Sequence, residues 1–325
     1  MGRGQKAPSP WFVSSLLLAV IAILWLAYPS TTTQAQAQAQ VPRLQGTTHP
    51  NLSGIWQAVN EANWDLEGHP ARAARVLSPG VPGGSPVPAA PVLALGATGG
   101  IPGSLGVVDS GEIPYKPDAL TKKKDNFEHS LERDPEVKCL TPGVPRVTYL
   151  PYPFQIAQSD SKVMLVYGYS NVGRTIHFDK TGDPGYPTWM GHSVGKWEGD
   201  TLVVDATEFN TTNWLDRAGN FVSERVHVTE RYTPMSRDHI MYEATIDDPT
   251  VFTRPWKISM PLYRRMEKQA RVFEYRCVEM TEELVYGHLR KNQLVKQWEG
   301  DYGRRGGTLA VGIVRKPTKE TDENQ

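Results

Sequence analysis

Residues 187–209 read PTWMGHSVGKWEGDTLVVDATEF, and their alternation decides the fold class. Two strand-length runs, TWMGHSVGKW and DTLVVDATEF, flank a turn at Glu198-Gly199-Asp200, where glycine supplies a positive φ at little steric cost. Successive side chains on a strand point to opposite faces. The first run therefore divides into one face with Trp189, Gly191, Ser193, Gly195 and Trp197, and another with Met190, His192, Val194 and Lys196. Two glycines between two tryptophans leave room for a ligand or a neighbouring ring to lie close to the backbone. His192 shares its face with Met190 and Val194, so it is expected to point into an apolar layer, either as a reactive group or as a core histidine bonded to a carbonyl. No second histidine or cysteine stands nearby at ligand spacing, so neither a metal nor another cofactor is expected.

The same punctuation continues outward. SKVMLVYGYS, GRTIHFD, ERVHVTERYT, DHIMYEATID, PWKISMPLY and ARVFEYRCVE are further strand-length runs separated by turn residues. Closely spaced short strands without intervening helices point to an antiparallel meander, a sandwich or a barrel. A parallel α/β sheet needs crossover helices, and no segment here is long enough to supply them. NLSGIWQ at 51–57 adds an opening strand with Gly-x-Trp. That pattern occurs in small ligand-carrying barrels whose tryptophan plugs one end, and equally at ordinary core positions.

Two charges stand on faces that otherwise read as buried. Arg174 shares its face with Ile176 and Phe178, and Glu230 shares its face with Val226, Val228 and Tyr232. Buried charges are paired or functional. Three arrangements fit: an ion pair inside the sheet, strand ends reaching water, or a cavity in which Arg174, His192 and Glu230 perform acid–base work. The connection NTTNWLDRAGN at 210–220 is longer and more polar than a hairpin needs, and FTRPWKISM repeats its pairing of arginine with tryptophan. Loops at a barrel mouth often hold binding groups. The expected ligand contacts are therefore Trp189, Trp197, Trp214, Asp216, Arg217, Arg254 and Trp256, with Trp56 completing an aromatic lining.

The chain has 325 residues, 39% hydrophobic and 22% charged, with 35 basic and 35 acidic side chains. That length buries a full core, and the balanced charge supplies no net field to attract nucleic acid or an anionic membrane. Arg3 and Lys6 precede an apolar run from Trp11 to Ala27, followed by Ala-x-Ala sites at Ala35 to Ala39. This is the order of a secretory signal, and an uncleaved membrane anchor is the alternative. The two cysteines, Cys139 and Cys277, are then expected to pair in an oxidising compartment. From Ala71 to Gly106 the Gly, Pro, Ala and Val content cannot pack a core alone, but its spaced apolar residues suit wrapping over a neighbour. Pro117 and Asp118 resemble a helix start.

The phrases NLSGIW, GEIPYKPDA, DPEVKCLTPGVPR, WMGHSVGKWEGDTLVVD and IDDPTVFTRPW resemble those of a large family of exported, functionally uncharacterised bacterial proteins. The resemblance covers about residues 51–280 and implies export and an all-β, mainly antiparallel, calycin-like barrel with an extended Gly/Pro-rich N-terminal arm. It implies no activity. The expected organisation is a signal peptide at 1–39, a first strand and arm at 40–144, a barrel at 145–280, and an extension with a disordered tail at 281–325. Three functions fit: a binding module for a small apolar or aromatic molecule, a hydrolase or isomerase using Glu230 or His192 as base and Arg174 as anion stabiliser, or an envelope interaction protein. Gly191-His192-Ser193-Val194-Gly195 has the Gly-x-Ser-x-Gly spacing but stands inside a strand run instead of at a strand-to-helix elbow, and His-Glu-x-x-His and phosphate-loop motifs are missing, which weighs against the second. The only partner expected is a small molecule, with membrane contact confined to export and no oligomeric state implied.

Overall fold

The computed structural model describes residues 41–71, 75–77, 86–88, 101–179, 185–210, 213–272, 275 and 277. The expected signal segment, most of the Gly/Pro-rich arm and the extension with its tail at 281–325 lie outside the described residues. In chain order the elements are β1 (Gly54–Ala58), β2 (Arg75–Leu77), β3 (Pro86–Pro88), α1 (Pro117–Glu128), α2 (Ser130–Arg133), α3 (Arg146–Tyr149), β4 (Phe154–Gln158), β5 (Lys162–Tyr167), β6 (Gly173–His177), β7 (His192–Glu198), β8 (Thr201–Thr207), β9 (His227–Pro234), β10 (His239–Asp247) and β11 (Trp256–Arg264).

Nine strands close into a barrel in the order β1-β11-β10-β9-β8-β7-β6-β5-β4, with β4 returning to β1. β2 and β3 form a separate ribbon. Every barrel junction is antiparallel except that of β6 with β7, which is parallel and rests on the single pair His177 with Val194. The sheet is thus a barrel, mainly antiparallel as the alternation of short strands implied, with one parallel junction. The chain reaches it through residues 178–191, without a crossover helix among the described ones. The run ARVFEYRCVE supplies no strand residue among its described positions, and the barrel is completed instead by β4.

Alternation sets what lies inside. On β9 the buried positions are Val228, Glu230 and Tyr232, and on β10 they are Ile240, Tyr242, Ala244 and Ile246. Their registers bring Tyr232 opposite Tyr242 and Glu230 opposite Ala244. Trp56, fully buried on β1, donates from Nε1 to the Leu52 carbonyl at 2.9 Å, and the Arg264 guanidinium lies 4.2 Å from its ring centre. A Cβ at Gly54 would meet that guanidinium at 1.9 Å, which is why glycine precedes the tryptophan by two. At the β7–β8 hairpin Gly199 takes φ +60°, as the turn requires.

Segments outside the barrel are tied down by polar contacts. Val107 and Asp109 hydrogen-bond to Ser259 and Lys257, extending the sheet along β11 beyond the end of β1. α1 begins with Pro117 in its first turn and Asp118 beside the amino end of its dipole, as the sequence suggested. Arg146, fully buried on α3, makes two bonds to Asp134 at 2.6 and 2.9 Å and a third to Asn63 Oδ1 at 2.9 Å. Arg217 grips Glu136 at 2.7 and 3.0 Å and lies over the Trp64 ring. Asp216 accepts from the Leu66, Ala218 and Asn220 amides and from Asn220 Nδ2. Residues 63–66, 134–146 and 213–220 are thereby locked together.

Cys139 and Cys277 are bridged, with Cα atoms 5.4 Å apart and a separation of 138 residues. Closing a loop of that length stabilises the fold by about 4–5 kcal/mol in the chain-entropy model. Alkylation of the unfolded, unreduced protein is expected to label neither cysteine, and two labels would contradict the bridge. Burial, aided by the charge of Asp65, pushes the Asp216 carboxyl from 3.8 up to about 7 despite its four donors. With the folded-state value raised, the contribution of Asp216 is complete below about pH 4 and is lost as pH rises toward 7. Urea unfolding across that interval is expected to show a decline on the order of a few kcal/mol that flattens in Asp216→Asn. An equal slope in both proteins would contradict this.

Candidate functional site

The parallel junction leaves an opening. Ahead of β7 the chain is held to the β8 side: the Thr188 amide donates to Glu208 O at 3.0 Å, and the Asn210 amide donates to Thr188 O at 2.9 Å. Residues 188–191 therefore stand away from the start of β6, and a pocket of about 410 Å³ lies between them. Gly191 turns the chain with φ +66°, and a Cβ there would meet Thr207 O at 2.4 Å and the Phe209 ring at 2.7 Å. Asn213 Nδ2 donates to the Trp189 carbonyl at 3.2 Å. Gly143 makes way for that amide, since a Cβ there would come within 2.5 Å of it.

Behind the seam lies a polar cluster in the barrel interior. Arg174 on β6 donates from Nε to Ser193 Oγ at 2.8 Å and from Nη2 to Glu230 Oε2 at 2.5 Å. Glu230 Oε1 accepts from Tyr232 at 3.0 Å and from Tyr242 at 2.8 Å. Both charged side chains are essentially inaccessible, at 2% and 0% exposure. Burial opposes the charge on Arg174, but Glu230 and the neighbouring tyrosines outweigh it and hold the guanidinium charged. Burial first, and Glu230 next, raise the Tyr232 and Tyr242 hydroxyls, so both remain protonated donors. Two nitrogens are left over. Arg174 Nη1 and His192 Nε2 are both buried without a hydrogen-bond partner, and both residues line the pocket.

The expected contacts separate into three places. Arg174 and Glu230 meet inside the barrel as an ion pair. His192 is not in the apolar layer: the inner face of β7 is Ser193, Gly195 and Trp197, while His192 pairs with Thr207 outside and stacks on His177 at 5.9 Å. The reason is Gly191, whose left-handed turn interrupts the period of two, so that Met190 and Ser193 are both buried and His192 is not. Trp189 lines the pocket. Trp197 lies under His49, with ring centres 4.7 Å apart, where the Arg43–Asp200 ion pair fastens the N-terminal segment over the β7–β8 turn.

Trp214 and Asp216 are buried, and Asp216 and Arg217 belong to the tie described above. Arg254 is exposed, bonded to Pro255 O at 3.3 Å, and Trp256 is packed edge-on against Phe252 in the core. The space left by Gly191 and Gly195 is filled by Phe209, Ile176 and Phe178 rather than by a ligand. Sequence reading missed His177, Thr175 and Thr141 in the pocket wall and the Tyr232–Tyr242 pair on Glu230. The two tyrosines were within reach, because each shares an alternating apolar face with or beside Glu230. Comparison with family models, curated proteins and solved structures finds no match to this chain.

Glu230→Ala strands a buried guanidinium and leaves two tyrosine hydroxyls without their acceptor. Its expected cost is about 3–5 kcal/mol in urea unfolding. A loss under about 1 kcal/mol would mean that water already reaches the cluster.

Proposed function

We propose that this chain is an exported binding protein for a small molecule, with the site at the seam between β6 and β7. The observation that carries this reading is a pocket of about 410 Å³ lined by two residues, Arg174 and His192, each of which has a buried nitrogen without a hydrogen-bond partner. Unpaired buried polar atoms are costly, and a ligand that satisfies them recovers that cost on binding. Trp189 and Met190 supply apolar surface in the same wall, the mixture on which ligand sites are usually built.

Placement at the seam, rather than along the barrel axis, follows from what fills the interior. Trp56, Phe154, Tyr167, Tyr232 and Tyr242 are all fully buried there. The fully buried Trp56, with Gly54 before it and Arg264 across its ring, supports a calycin-like relation to ligand-carrying barrels. The disulfide suits the oxidising compartment that the N-terminal sequence suggests. A general-base role for Glu230 fits less well, because both its oxygens already accept bonds and it is not part of the pocket wall.

Native mass spectrometry of protein purified without denaturation from its own host is expected to show a retained small molecule, lost in Thr175→Phe, whose ring fills the pocket beside β6. A retained molecule unaffected by that substitution would move the site elsewhere.

A further inference from the structure

We infer that the seam pocket recognises an organic monoanion, a carboxylate on an apolar or aromatic body, through the Nη1 end of Arg174. This rests on the small-molecule reading above and adds the chemical class. Among the described residues lining the pocket there is one guanidinium, from Arg174, and two imidazoles, from His177 and His192, and there is no Asp or Glu. Hydroxyls from Thr141, Thr175, Thr188 and Ser193 complete the polar wall. Such a wall is rich in donors and carries no negative side chain, which favours an anion over a cation.

The ligand's charge follows from how Arg174 is held. Its Nε and Nη2 are occupied by Ser193 and Glu230, and Nη1, beside the Tyr167 hydroxyl, is buried without a hydrogen-bond partner of its own. Glu230 shares its own charge with the Tyr232 and Tyr242 hydroxyls, so it draws on Arg174 less than a lone carboxylate would. The Arg174–Glu230 pair is neutral overall, so a monoanion adds one net charge beside it and a dianion adds two, at a higher electrostatic cost. The fixed orientation of the guanidinium, clamped at two of its three nitrogens, suits the planar acceptor edge of a carboxylate.

Access is supplied by the junction itself. β6 and β7 share one backbone pair, so parting the strands ahead of His177 sacrifices little of the ladder. The rest of the barrel stays closed by the long antiparallel pairings of β8 to β11. The hydroxyls and Trp189 stand on the two sides of that opening.

The test is a titration of the intact protein, followed by backbone amide NMR, with benzoate, benzamide and phenyl phosphate as probes of one shape and three charges. Benzoate is expected to bind and to shift the amides of Thr175, Trp189 and Ser193, with benzamide and phenyl phosphate at least tenfold weaker and Thr175→Phe abolishing the shifts. Benzamide binding at the same amides within threefold of benzoate would leave the site standing and overturn the anion. Phenyl phosphate binding more tightly would overturn the single-charge limit. Absence of shifts at these amides with all three probes would overturn the site and the ligand class together.

Discussion

A charged pair closed inside the barrel, Arg174 with Glu230, is the constraint around which the rest is arranged. Neither group can shed its charge to water, so each must be satisfied by neighbouring side chains. Ser193 on β7, Tyr232 on β9 and Tyr242 on β10 do so. Those three strands and β6 are thereby fixed in register across the interior as well as along their ladders. This matters most at β6 and β7, where the ladder itself contributes one pair. The Arg174–Ser193 bond is a side-chain substitute for backbone pairs that the parallel junction lacks.

The same economy leaves a group unspent. A guanidinium has more donors than Ser193 and Glu230 accept, and Arg174 Nη1 is left buried without a hydrogen-bond partner. The seam is the barrel junction with the fewest backbone pairs, and Arg174 is among the residues that line the pocket beside it. Next to it, the tie built on Arg146, Asp134, Glu136 and Arg217 joins the outer segments without placing any of those four side chains in the pocket wall. Structural and candidate binding arginines are told apart here by what is left over on each.

How much of this was legible depended on whether a local rule held without interruption. Arg174 and Glu230 were found because the period of two runs unbroken through GRTIHFD and ERVHVTERYT, so a charge on an apolar face stood out. His192 was placed on the wrong face because the period was carried through Gly191, whose positive φ resets it. Asp216 and Arg217 were read as loop groups free to meet a ligand. Their partners, Leu66 and Glu136, lie far away in sequence, and spacing alone does not reveal such contacts. The parallel junction was hidden for the same reason: strand runs can be recognised singly, while which edges meet is decided by the closure of the whole sheet.

What distinguishes a binding site from a barrel with one unspent donor is the behaviour of the Arg174 guanidinium when a carboxylate is present. Side-chain nitrogen NMR of Arg174 during addition of benzoate reads that group directly. Slowed rotation and a shift of its Nη1 signals, saturating together with benzoate binding, is the result expected if the carboxylate completes the fork. Unchanged Arg174 signals in protein saturated with benzoate would contradict it.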